Sequence, residues 1–268
     1  MLNLLHYFLP QPLLLAIGPL TIHWYGLCLV LAIAAALGIT LKLSHEQKIN
    51  QEQVLDLAIW LIIGGLLGAR IYEIFLEWPY YFQNPAAIIK IWEGGLAIHG
   101  AIIGGGASLL IFARKNKLSS LKLTALIVPG LALGQAIGRW GNWFNQELFG
   151  LPTALPWGIP IALENRPLNY INYNFFHPTF LYESLGCLFI FLILSIMYYR
   201  WRRHLDKKKL IIIINTYLLG YALLRFSLEF IKIDQTPLVG GWRWPQIISL
   251  LIAAFSIAWL VKTFKFEK

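Results

Sequence analysis

The stretch Val-Leu-Asp-Leu-Ala-Ile-Trp-Leu-Ile-Ile-Gly-Gly-Leu-Leu-Gly-Ala-Arg-Ile-Tyr-Glu-Ile-Phe-Leu, residues 54–76, decides the fold. A helix of that length runs roughly 35 Å, enough to cross the ~30 Å hydrocarbon core of a bilayer. Its charges sit near the ends: Asp56 at one, Arg70 and Glu73 at the other. The rest of the chain has the same character. Of 268 residues, 58% are hydrophobic and 13% charged, against about 25% charged in an ordinary soluble domain. Mean hydropathy is +0.63. So little charge cannot coat a soluble globule of this size, and so apolar and aromatic a chain is not disordered. The only two cysteines, Cys28 and Cys187, lie in apolar runs, which excludes a disulfide scaffold.

Six further stretches have spanning length: Leu20–Leu41, Gly94–Ala113, Leu123–Gly141, Thr179–Tyr199, Leu210–Phe230 and Pro245–Thr263. The expectation is an all-α integral membrane protein of about seven transmembrane helices, with residues 1–268 forming a single polytopic domain. Lysines and arginines decide its orientation. Of 22, 15 fall in the connections on one side and in the C-terminal tail, and four, Lys90, Arg166, Lys232 and Arg243, on the other. The N-terminus is therefore expected outside and the C-terminus in the cytoplasm. The net charge of +9 serves topology, and no nucleic-acid partner is expected. Residues 1–19 carry no Lys or Arg and contain Pro10 and Pro12, which fits an interfacial segment. Residues 142–178 read as an external loop region.

This orientation brings the intramembrane polar residues to one depth. His23 and Tyr25 start the first span, and Arg70, Tyr72 and Glu73 end the second. His99 lies roughly 8 Å into the third. Arg139 ends the fourth, followed by Asn142, Gln146 and Glu147. Tyr182 and Glu183 open the fifth, after His177, and Tyr221, Arg225 and Glu229 line the sixth. A charge at a helix centre costs about 2.5–3.5 kcal/mol to insert, so this convergence reads as a polar cavity in the outer half of the bilayer. A solute pathway would instead carry polar residues from face to face. The inner halves hold little beyond Asp56, Gln135 and Asn215.

Spacing suggests pairings. Tyr221, Arg225 and Glu229 are i, i+4, i+8, which predicts an Arg225–Glu229 ion pair. Arg70 and Glu73, at i, i+3, offer another. Arg139, Asn142 and Gln146 share a face if their helix continues through 146. Glycines at 64 and 68, and at 100 and 104, form small-xxx-small pairs that let helices approach closely.

Two arginines at headgroup depth fit a phosphate ligand, because the guanidinium fork matches phosphate oxygens and stays charged in low dielectric. A histidine beside them supplies acid–base chemistry near neutrality. No His-x-x-x-His or carboxylate-rich cluster points to a metal. No Gly-x-Ser-x-Gly elbow is present, and the two cysteines read as packing residues. The chain offers no convincing nucleophile, so the nucleophile is expected to arrive with a second substrate.

Five blocks carry a specific resemblance: Ile-His-Trp-Tyr-Gly (22–26), Gly-Gly-Leu-Ala-Ile-His-Gly (94–100), Gly-Gln-Ala-Ile-Gly-Arg-Trp-Gly-Asn-Trp-Phe-Asn-Gln-Glu-Leu-Phe-Gly (134–150), His-Pro-Thr-Phe-Leu-Tyr-Glu-Ser (177–184) and Arg-Phe-x-x-Glu-Phe (225–230). The chain resembles the bacterial prolipoprotein diacylglyceryl transferases from about residue 15 to 255. The resemblance implies a transferase of the bacterial inner (plasma) membrane whose site faces the outer, periplasmic leaflet. It would move the sn-1,2-diacylglyceryl group of phosphatidylglycerol to the lipobox cysteine of preprolipoproteins, forming a thioether and releasing glycerol phosphate. This is the first step of lipoprotein maturation. The implied partners are those two substrates and membrane lipids; no metal or cofactor is implied.

On this reading His99, Arg139 and Arg225 are catalytic, with His99 as base and the arginines stabilising the leaving phosphate. Asn142, Gln146 and Gly150 lie with the substrate, Tyr25 and Tyr221 donate to the lipid, and Glu229 and Glu147 orient the arginines. In an alternative assignment the arginines do most of the work and His99 only orients the substrate. Two positions depart from the family's usual pattern: Ala125 stands where Asp is usual, and Lys232 where Arg is usual.

Overall fold

In lipid a chain must satisfy its own backbone hydrogen bonds, and helices do this within one segment. The computed structural model describes residues 2–18 and 20–265, and long helices dominate it. They are α2 (Trp24–Glu46), α3 (Gln51–Leu76), α5 (Ile98–Lys115), α6 (Ser120–Phe144), α7 (Thr179–Trp201), α8 (Lys207–Leu228) and α9 (Trp244–Lys265); α1 (Leu2–Tyr7) and α4 (Trp78–Gln83) are short. Each long helix coincides with one candidate span. Six are long and apolar enough to cross a membrane. The seventh, α5, has 18 residues, dilutes its apolar run with glycines and ends on Arg114 and Lys115. Much of their Leu, Ile and Phe surface is exposed, including Leu29, Val30, Ile63, Leu67, Phe189, Leu251 and Phe255. Such apolar surface is what a lipid solvent requires.

The caps follow from sequence. Asn50 accepts from the Glu52 N–H at 2.9 Å before α3, and Asp206 from the Lys209 N–H at 2.8 Å before α8. Three expected boundaries move by four residues or more, one being the end of the first span, which runs on past Leu41 to Glu46. The first span begins at Trp24, because Leu20–His23 is strand β2, paired antiparallel with β1 (Leu13–Ile17) around Gly18 at φ +59°. The third begins at Ile98, because Gly94 and Gly95 take φ of +95° and +71°, outside helical space.

The chain divides into two units. The first comprises residues 1–39 and 127–268, the second residues 40–126, so the division falls within α2 and α6. In the first unit α7 packs on α8 and α8 on α9. Buried polar residues join these helices: the Ser184 hydroxyl donates to Ala136 O at 2.7 Å, and the Ser256 hydroxyl to Asn215 Oδ1. The loop region after α6 builds its own small core from Trp143, Phe149, Ile159, Ile161, Phe176 and Phe180. Strands β3 (Ile159–Pro160) and β4 (Phe175–Phe176) brace it, and a hairpin of β5 (Leu238–Val239) and β6 (Trp242–Arg243) precedes α9. The N-terminal segment is not one helix: α1 ends ahead of Pro10 and Pro12. Its Leu5 joins that same core, and the His6 ring stacks on Phe175 at 4.0 Å.

In the second unit α3 packs along α5, and their glycines are the contact. A Cβ on Gly68 would run into Gly100 O and sit 2.8 Å from Gly104 Cα; one on Gly100 or Gly104 would run into the α3 backbone. The two backbones touch because no side chain separates them. Gly68→Val is therefore expected to lower the midpoint of thermal unfolding in detergent, at a cost of about 1–3 kcal/mol. Gly105→Ala, where an added Cβ meets nothing within 4 Å, is expected to leave it unchanged.

Candidate active site

In the first unit three helices and the segment leading into the fourth bring seven ionic side chains together. Glu183, in the second turn of α7, is 1% exposed and forms the centre. Its Oε1 lies 2.6 Å from Arg139 Nη2 of α6 and accepts from the Tyr221 hydroxyl of α8 at 3.1 Å. Its Oε2 lies 3.8 Å from Arg225 Nη1 and 3.5 Å from Lys232 Nζ. Arg225 turns its other nitrogen to Glu229 at 3.0 Å, the pair that the i, i+4 spacing predicts. Glu229, also 1% exposed, takes Arg243 Nε at 2.8 Å, and Arg243 reaches Asp234 at 3.5 Å. Four cations face three carboxylates, which leaves one positive charge over.

The three arginines keep about a fifth of their side-chain surface exposed while Glu183 and Glu229 are sealed. The network thus seals its two glutamates more completely than its arginines. Lys232 is 4% exposed and its ammonium makes no hydrogen bond. Burial holds its pKa below lysine's ordinary range; Glu183 pulls it up, and Arg225 and Arg139 push it down. A cavity of about 600 Å³ adjoins the network, lined by Glu229, Lys232 and Arg243 with Tyr170, Trp242 and Gln246.

The loop residues set this geometry. Arg139 Nη1 donates to Asn142 Oδ1 at 3.3 Å, and Asn142 Nδ2 donates to Glu147 at 2.7 Å. Gly150 N donates to His177 O at 3.0 Å, and Gly150 bridges to Lys232. A Cβ on Gly150 would sit 2.7 Å from Ile231 O, so only glycine lets these strands approach. Tyr25, in the first turn of α2, lies against Gly141.

Three expectations need correction. Gln146 does not continue the Arg139–Asn142 face, because α6 ends at Phe144 and Gln146 takes φ +52°. Its amide donates to Pro10 O at 2.8 Å and accepts from Ala162 N at 2.7 Å, so it pins the loop to the N-terminal segment. Glu147 bonds Asn142 rather than an arginine. Arg70 directs its donors to backbone carbonyls, not to Glu73. His99 belongs to the second unit. It is exposed in the first turn of α5, with its ring 5.9 Å from that of Tyr72.

Sequence reasoning grouped Glu183 with the other intramembrane polar residues without giving it a role. The missing signal was stoichiometric: cations sunk in a membrane need buried carboxylates, and Glu183 and Glu229 were the ones on facing spans. Lys232 and Arg243 read as outer-loop charges because they lie beyond the spans. The Gly150–Lys232 bridge and the β5–β6 hairpin fold them back.

Comparison with known proteins shows the family. The family model for prolipoprotein diacylglyceryl transferase matches residues 12–262. A protein of Synechococcus elongatus named phosphatidylglycerol–prolipoprotein diacylglyceryl transferase is 44% identical over 257 residues, covering 96% of this chain and 89% of its own. Proteins of the same name from Nostoc sp. and Synechocystis sp. are 43% and 41% identical, covering 94% and 97% of this chain and 88% and 91% of theirs. The match runs through every helix that carries the ionic network, so a membrane helix bundle built around paired arginines and buried glutamates belongs, in this chain, to the prolipoprotein diacylglyceryl transferase family.

Proposed function

We propose that this protein transfers the diacylglyceryl group of phosphatidylglycerol to the lipobox cysteine of preprolipoproteins. The observation that carries this reading is the buried network in which Arg139, Arg225 and Lys232 converge on Glu183, with one positive charge over. The names of the relatives supply donor and acceptor. The distribution of basic residues supports a bacterial inner-membrane protein with this network toward the outer leaflet.

The chemistry is a displacement at the glycerol carbon that bears the phosphate ester. The cysteine sulfur forms a bond to that carbon, the carbon–oxygen bond breaks, and the electron pair leaves with the phosphate as glycerol phosphate. The thiol must first lose its proton, since the thiolate is the nucleophile. His99 is the proposed acceptor of that proton. Charge gathers on the phosphate oxygens as the ester breaks, and Arg139 and Arg225 stabilise it in a water-poor site. Glu183 and Glu229 hold both guanidinium groups in place beforehand, and Asn142 fixes Arg139 from the opposite side. Tyr221, hydrogen-bonded between Arg139 and Glu183, sets the spacing of the pair.

The direct test combines purified protein, phosphatidylglycerol and two lipobox peptides, one with cysteine and one with serine in its place. A diacylglyceryl mass gain on the cysteine peptide alone, with glycerol phosphate released in step, is expected. Arg139→Ala and Arg225→Ala are expected to lower kcat/KM by about 10²–10³-fold, the typical loss of a transition-state donor. Glu183→Gln keeps the side chain's shape but removes the carboxylate shared by three cations, and is expected to lose a similar factor. Folded protein that binds phosphatidylglycerol yet leaves both peptides unchanged would sink the reading.

A second test uses pH. As pH rises through the lowered pKa of Lys232, the ammonium loses its proton and the network loses its surplus positive charge. An arginine stays charged throughout this range. The alkaline limb of kcat/KM is therefore expected at higher pH in Lys232→Arg than in the native protein. Superposed limbs would show that this charge does not matter to turnover.

A further inference from the structure

Arg70 is a buried charge without a carboxylate partner among the described residues. It is 7% exposed, on the last turns of α3. A guanidinium has five N–H donors, and here all five go to backbone carbonyls. Nε donates to Ile88 O at 3.0 Å, Nη1 to Gly94 O at 2.6 Å and Gly95 O at 2.8 Å, and Nη2 to Ala87 O and to Lys90 O at 3.4 Å. The Tyr81 ring closes over it at 5.0 Å. Burying an unpaired cation is costly, and nothing in the proposed chemistry uses Arg70 directly. Its carbonyl shell shows what it does: residues 87–95 fold around one peg.

That peg is one step from His99. Gly95 touches it so closely that a Cβ there would sit 2.6 Å from Arg70 Nη1 and 2.7 Å from the Tyr81 hydroxyl. Two residues on, Ala97 N donates to Ala69 O at 3.2 Å, tying the entry of α5 to the residue beside Arg70. Helix α5 then starts at Ile98, with His99 in its first turn, Gly100 against Gly68 and the His99 ring 5.9 Å from that of Tyr72. The position of the imidazole is thus set by α3, through Arg70 before it and through Gly68 and Tyr72 beside it.

We infer that Arg70 is a positioning residue for His99: its guanidinium organises the Gly94–Gly95 turn that delivers the imidazole at the mouth of α5. The inference rests on the proposed role of His99. A lysine at 70 keeps the charge but offers three donors on a flexible stem, which cannot span five carbonyls. An error of about 1 Å in a reacting group costs up to about 10²-fold in rate.

The test compares native protein, Arg70→Lys and Gly95→Ala, the latter disturbing the peg from the opposite side. Steady-state transfer is read together with the imidazole signals of protein carrying 13C-labelled histidine, in which His99 is assigned by its loss in His99→Asn. Both variants are expected to shift the His99 signal and leave the other five histidines unmoved. Both are expected to lower kcat by about 10–10²-fold with KM for phosphatidylglycerol within about threefold. An unshifted His99 signal, an unchanged kcat, or a loss confined to KM in whichever variant folds overturns the inference. Near-native turnover in His99→Asn overturns instead the role of His99, and the positioning role with it. Absence of transfer by the native protein would leave the functional reading at fault while the His99 signal still reports on the peg.

Discussion

Glu183 is the constraint on which the first unit depends. A carboxylate with 1% exposure in a membrane helix cannot stay ionised without cations, and cations at that depth cannot insert without a carboxylate. Glu183 resolves both needs at once by taking Arg139, Arg225 and Lys232 from three different parts of the chain. Helices α6, α7 and α8 are thereby held in one register. Because Glu229 and Asp234 take up Arg243 on the same principle, the seven side chains close into one network with a single positive charge over. The atoms that hold these helices together are also the ones proposed to meet the substrate.

The second unit solves a different problem with different means. Its helices carry few charges, so α3 and α5 associate by removing side chains from their contact until backbone meets backbone. Its one deeply buried cation is solvated by backbone carbonyls beneath the Tyr81 ring. That choice gives shape to a segment with little regular structure. Residues 85–95 hold two short 3-10 turns and two glycines at positive φ, and a guanidinium with five fixed donors supplies the order that a helix or sheet would otherwise give.

Much of this was legible in the residues. Hydropathic length located all seven long helices; two starts shifted where glycine or strand pairing overrode periodicity, at Gly94–Gly95 and Leu20–His23, and the end of α2 ran on through the polar residues to Glu46. The Arg225–Glu229 pair followed from helical spacing. Gln146 did not follow, because periodicity cannot tell that a helix stops two residues short and that the amide is then needed to bridge Pro10 and Ala162.

What the sequence by itself determined is the set of groups that could not be left alone in lipid: the spanning lengths, the places of the charges along them and the glycines that permit contact. These are one-dimensional properties, set by composition and spacing along a helix. What only the tertiary structure decided is which group answers which. Glu183 rather than a neighbour in sequence holds Arg139, Lys232 and Arg243 return from beyond the spans to the network, and Arg70 chooses carbonyls over Glu73. Pairing between distant segments depends on loop geometry and close backbone approach, as at Gly150 and Ile231, and no local pattern encodes it.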